Sequence, residues 1–256
     1  MGAAPTGMHT STVTPRTIIT ATVRTTMDTD ATAGDALARL RLLQLTSPAL
    51  PVGAFTYSQG LEWAVETGWI NDSDTLADWL QGLIDDALAP FELPILARLY
   101  DACAGGEAGT VAHWARICLA GREGRELRAE ERNRARALCS LLRDLGVVAA
   151  DTWRDSLADC QAAPFALAAV HWGIARRDCL LGYAWGWLEN QVAAAIKLVP
   201  LGQTDGQRVQ LRLAACLPAT VERALALGDD DIGASAPALA IASARHETQY
   251  TRLFRS

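Results

Sequence analysis

Asp178-Cys-Leu-Leu-Gly-Tyr-Ala-Trp-Gly-Trp-Leu-Glu-Asn-Gln-Val-Ala-Ala-Ala-Ile-Lys-Leu198 holds no proline and no turn dipeptide. Asp178 can cap its start, and Pro200 and Gly202 close it just past Leu198. Strands in globular proteins are far shorter, so the spacing predicts one long helix. Moving toward the C-terminus, residues 207–227 predict another helix, bent or interrupted at Pro218. Gly228-Asp-Asp-Asp231 predicts a loop, 237–245 a short helix, and His246–Ser256 a tail.

Toward the N-terminus the pattern stays helical. Pro164 opens a helix that ends near Arg176, and 107–120, 124–145 and 151–160 precede it. Pro90 separates a helix over Phe91–Cys103 from one capped by Asp72 and Ser73. That earlier helix points Leu76, Trp79, Leu80 and Leu83 inward. A helix from Tyr57 to Thr67 stops at Gly68, and in it Gly60 calls for a close backbone approach. Ser47-Pro-Ala-Leu-Pro-Val-Gly53 breaks a first helix that begins near Asp35 and repeats Leu37, Leu40 and Leu43. Residues 1–33 hold eleven Thr without periodicity, and disorder is expected there. The expectation is an all-α, single-domain bundle of about ten helices, residues 34–256, with no strand and no repeat.

Composition agrees. Half the residues are hydrophobic but only 6% are aromatic, so Ala and Leu dominate, both strong helix formers. The net charge of −6 argues against nucleic acid as a partner. No apolar run is long enough for a membrane span, and the Thr-rich start has no signal-peptide core, so a cytoplasmic protein is expected. Cys103, Cys118, Cys139, Cys160, Cys179 and Cys216 are widely spaced among Ala and Leu. They predict buried, inert thiols rather than a disulfide framework.

The sequence carries no catalytic motif. Of the 23 basic residues only Lys197 is lysine, and its neighbours Ile196 and Leu198 exclude a phosphate-binding P-loop. His9, His113, His171 and His246 are too far apart in sequence for a spaced zinc motif. His113 and His171 are expected as core or boundary residues. Asp85-Asp86 lacks a third carboxylate for magnesium, and Asp229–Asp231 predicts a solvated turn. The Arg- and Glu-rich stretch 122–136 predicts a solvated face of i,i+4 pairs. No catalytic residue, cofactor or metal ligand is expected. Two alternatives stay open: an α-helical enzyme with an unrecognised pocket, in which Lys197 could serve with a pKa lowered by burial, and a nickel carrier using His113, His171 or cysteines.

Three segments carry more than a core needs. Ser47–Glu62 sets a double-proline loop displaying Phe55 and Tyr57 before Gly60. Asn190 and Lys197 share one helix face, with Ala193 and Ala194 forming a smooth strip between them. His246–Ser256 ends in Tyr250, Leu253 and Phe254 among Arg252 and Arg255, apolar anchors with arginine. Gly182-Tyr-Ala-Trp-Gly186 is a weaker hint, its spacing suited to helix packing within the chain.

These segments resemble the UreF family of urease accessory proteins. Ser47–Glu62, Ala194–Gln203 and Glu247–Ser256 match three family motifs in order, and the likeness spans roughly 36–256. It implies an all-α homodimer without catalytic activity of its own. It implies as partners a UreD/UreH-type protein, the GTPase UreG and apo-urease, joined for GTP-dependent nickel insertion. By motif position it implies partner-binding roles for Tyr57, Glu62, Lys197 and Arg252, while Phe55, Asn190, Tyr250 and Phe254 are partner-binding candidates from the reading of the segments themselves. Lys197 would meet the GTPase, the tail would order on the UreD/UreH-type subunit, and Arg252 would hold the Tyr57 loop.

Overall fold

A computed structural model describes residues 1, 2 and 33–256. The expected disorder of the Thr-rich start falls almost wholly on residues outside that set. Among the described residues there are helices and no strands, as composition predicts.

Helix α1 spans Ala33–Thr46, α2 Leu61–Glu66, α3 Ser73–Leu83 and α4 Leu93–Ala104. Next come α5 (Ala108–Ala120), α6 (Arg125–Asp144), and two single turns, α7 (Ala149–Thr152) and α8 (Arg154–Leu157). Helices α9 (Ala162–His171), α10 (Arg176–Leu198), α11 (Gln203–Ala214), α12 (Leu217–Ala226) and α13 (Pro237–His246) complete the chain. The long helix read from 178–198 is α10, which starts two residues earlier than Asp178. Helix α4 lies at the centre against α5, α9 and α12, while α10 carries α1 and α11. Leu93, Ile95, Leu96 and Leu99 of α4 are fully buried. Burying each such side chain is worth about 1.5–3 kcal/mol.

Asp72 does cap α3, in a reciprocal box with Thr75. Pro90, however, does not end the helix. A wide-turn segment, Ile84–Glu92, carries α3 into α4 without a break. Pro90 offers no N–H to the hydrogen-bond ladder of this segment. Ser235 N–H donates to Asp86 O at 3.3 Å, and Gly233 N–H donates to Pro90 O at 3.1 Å. The chain after α12 therefore supplies donors beside the proline. Phe91 turns inward over Gly121, where a Cβ would stand 2.2 Å from its ring.

The second helix is shorter than the sequence suggests. Ala54–Thr56 forms one tight turn, and α2 starts only at Leu61. Gly60 sits before that helix, not within it, with φ +79°. The close approach expected at Gly60 is present: a Cβ there would lie 3.0 Å from Ser243 N and Ala242 Cβ. The expected helix over 151–160 is α7 and α8, and the one over 207–227 is two helices meeting at Cys216.

One expectation about faces is corrected, and one stripe lies on the uncovered side. Leu37, Leu40 and Leu43 lie exposed on α1, while Ala38 and Leu45 face the core. Helical spacing defines a stripe but not which side of it is covered. In the 122–136 stretch, Arg122, Glu130 and Glu131 are buried rather than solvated. Leu42 of α1 rests on Gly182 of α10, so the glycine spacing there does serve packing within the chain.

Candidate functional site

The three singled-out segments meet at one place, and Glu62 organises it. Glu62 is buried at the start of α2. Its Oε1 accepts from Leu253 N–H at 2.5 Å and its Oε2 from Phe254 N–H at 3.0 Å. Two backbone bonds zip the same strip together: Arg255 N–H to Thr56 O and Ser58 N–H to Ser256 O, each 2.8 Å. The Ser58 hydroxyl also donates to Ser256 O, and the Ser256 hydroxyl donates to Glu130 Oε2 at 2.9 Å. The tail therefore docks on its own domain through the 56–62 segment.

His246 is the residue that sequence reasoning missed. It closes α13 and is wholly buried, with Nε2 3.1 Å from Glu62 Oε2 and Nδ1 2.7 Å from Glu126 Oε2. The only local signal is the basic residue in a last helical turn. Its partners lie 184 and 120 residues away in sequence. His113 and His171, expected at the core or its boundary, are exposed instead. Glu247 accepts from Arg125 N–H at 2.6 Å and so caps α6, whose own Gly124 has no side chain to do so.

The predicted residues divide in two. Tyr57 is buried, its hydroxyl accepting from Asn133 and its carbonyl from Asn190, each at 3.3 Å. Phe254 is buried, with the Lys197 ammonium 5.6 Å from its ring centroid. Glu62, Tyr57, Phe254 and Asn190 thus build the junction. Phe55, Lys197, Tyr250 and Arg252 point outward around it. Tyr250 is fully exposed, and Leu253 beside it is 65% exposed. Arg252 reaches Glu126 Oε1 at 2.6 Å rather than the Tyr57 loop. The strip between Asn190 and Lys197 presents Ala193 only, because Ala194 is buried. Lys197 is exposed rather than set in a deep polar pocket.

Gln59 links this junction to the interior. It is a non-glycine residue held at φ +54°. Its Oε1 accepts from Trp187 Nε1 at 3.0 Å and Gln191 Nε2 at 3.1 Å, and its Nε2 donates to Glu130 at 3.0 Å. Several partners converging on one amide offset the strain of such a conformation. Behind it lies a cavity of about 110 Å³, lined in part by Glu92, Arg122, Glu131 and Tyr183. Arg122 bridges Glu92 at 2.7 Å and Glu131 at 2.6 Å, all three buried. Burial alone would lower the Arg122 pKa, but the two carboxylates hold it well above its ordinary value.

The family model for UreF matches residues 70–214. The chain is 54% identical over 222 residues to the urease accessory protein UreF of Alcanivorax borkumensis, covering 84% of this chain and 97% of the relative. The chain belongs to the UreF family. A UreF of Pseudomonas putida is 53% identical over 220 residues, covering 86% of this chain and 98% of its own length. A UreF of Alkalilimnicola ehrlichii is 48% identical over 230 residues, 90% of this chain and all of the relative. The family model ends at Ala214, before α13 and the tail. Alignments over nearly the whole length of these UreF relatives bear out the resemblance read from the three motifs. No helix among the described residues is long and apolar enough to cross a membrane.

Proposed function

We propose that this chain is a non-catalytic adaptor in urease maturation. In this reading it joins a UreD/UreH-type accessory protein to the GTPase UreG and acts with them in GTP-dependent nickel insertion into apo-urease. The observation that carries the reading is the convergence of three sequence-distant segments at Glu62. Buried Glu62, Tyr57 and Phe254 hold the junction, and Phe55, Lys197, Tyr250, Arg252 and Leu253 surround it on the outside. Exposed aromatics beside basic side chains are the residue types that anchor protein interfaces. Such a surface suits docking better than turnover.

Lys197 supplies the charge that meets the GTPase, and Tyr250 and Leu253 supply apolar anchors for the UreD/UreH-type subunit. The test is a pull-down of UreG by Lys197→Met, which keeps an aliphatic side chain and removes the charge. Unchanged circular dichroism with roughly tenfold weaker GTPase binding, ~1.4 kcal/mol, is expected. Full-strength binding by the folded variant contradicts the role given to Lys197.

A further inference from the structure

Away from the tail, three chemically distinct groups from three elements meet inside the molecule. Cys118 comes from α5, Glu131 from α6, and Cys160 from the non-helical connection ahead of α9. All three are buried, and their ligand atoms lie within 4.8 Å of one another. We propose that Cys118, Glu131 and Cys160 form a binding site for a borderline-soft divalent cation of the zinc class.

The donor chemistry supports the assignment. Two thiolates and one carboxylate suit zinc-class ions rather than magnesium or calcium, which prefer all-oxygen sets. The carboxylate still has room for a metal. Glu131 Oε1 takes Arg122 Nε at 2.9 Å and Nη2 at 2.6 Å, and Oε2 takes Gln161 N–H at 2.9 Å. A carboxylate offers about four acceptor positions, so one on Oε2 stays available. The Arg122 fork and the Gln161 amide orient that oxygen, as outer partners do in metal sites. The amide also ties Glu131 to the residue after Cys160, which couples two of the ligands.

Charge is favourable too. Glu92, Arg122 and Glu131 carry one cation against two anions. Exchange of two thiol protons for one M²⁺ forms two S–M bonds, breaks two S–H bonds and leaves the buried charge unchanged. No oxidant or reductant is needed. The connection Ala158–Gln161 that carries Cys160 is irregular, and its Asp159 pairs with Arg132 at 3.5 Å, both half-exposed.

The experiment uses the full reduced chain, stripped of metal and handled without oxygen. Zn²⁺ is titrated against a chromogenic chelator, and Co²⁺ is added separately for its thiolate charge-transfer absorption. Wild type should hold one Zn²⁺, release about two protons per ion, and show the cobalt–thiolate band. Cys118→Ser and Cys160→Ser, each near-isosteric, should each lose the band and most of the affinity while keeping the helical spectrum. The proposal is overturned if the Cys118→Ser, Cys160→Ser double variant binds Zn²⁺ as wild type does. Wild type that binds none, or that holds a Cys118–Cys160 disulfide instead, overturns it as well.

Discussion

Glu62 receives two backbone N–H groups of the tail and faces the ring of His246. Glu62→Ala would leave those donors buried without an acceptor, at about 1–3 kcal/mol for each group left unsatisfied. The expected outcome is fast amide exchange over 247–256 with slow exchange retained in α4, read by hydrogen-exchange mass spectrometry. Equal protection of the tail in wild type and variant contradicts the role given to Glu62. Arg122 answers to the same logic in the core. Arg122→Met strands the Glu92 and Glu131 carboxylates, so a loss of about 3–5 kcal/mol in urea unfolding is expected. Glu130 sets a pH dependence. Burial raises its pKa and the Arg134 guanidinium opposes that rise. A folded value above the unfolded one gives stability that is fully present below the unfolded value and lost as pH rises through the folded one. Glu130→Gln should therefore flatten the fall in stability above the ordinary glutamate range, measured as unfolding midpoints across pH.

At the scale of elements, the sequence disclosed helices far better than their faces. α10 was legible because Asp178–Leu198 has no breaker and a proline–glycine stop. α3 was legible through its Asp72 cap. Pro90 was misread as a boundary because the donors beside it, at Gly233 and Ser235, come from a distant connection. The stripe Leu37, Leu40, Leu43 was visible, but only the packing of Leu42 on Gly182 shows that α1 sits with its other side down. His246 was assigned to the tail because nothing local links it to Glu62 and Glu126. Phe55, Asn190, Tyr250 and Phe254 were legible from the pattern of their segments, while roles for Tyr57, Glu62, Lys197 and Arg252 came through the family motifs. Gly60 is the position where element packing is most exacting. Its positive φ and its contact with Ser243 both resist a side chain, so Gly60→Ala should cost about 1–3 kcal/mol. Thermal unfolding checks this, and a variant as stable as wild type would show that α13 can shift away from α2.

For the whole molecule, the described fold leaves one long apolar face without cover. Leu37, Leu40 and Leu43 on α1 are exposed, and so is Trp185 on α10. The homodimer implied by family resemblance would bury such a face, and apolar surface of this kind drives stable association. Leu40→Asp with Leu43→Asp should shift the mass in light scattering from dimer to monomer, leaving the helical content unchanged. The proposed docking face around Glu62 is a separate surface, formed by the tail with Phe55 and Lys197, and the central claim rests there. Its most direct test is co-purification of UreG and the UreD/UreH-type protein with the tagged chain, comparing wild type with Tyr250→Ala, Leu253→Ala. Both side chains are exposed, so the variant should fold as wild type does. The account predicts that the variant brings down neither partner at wild-type yield. Recovery of the complete complex at wild-type yield would contradict it.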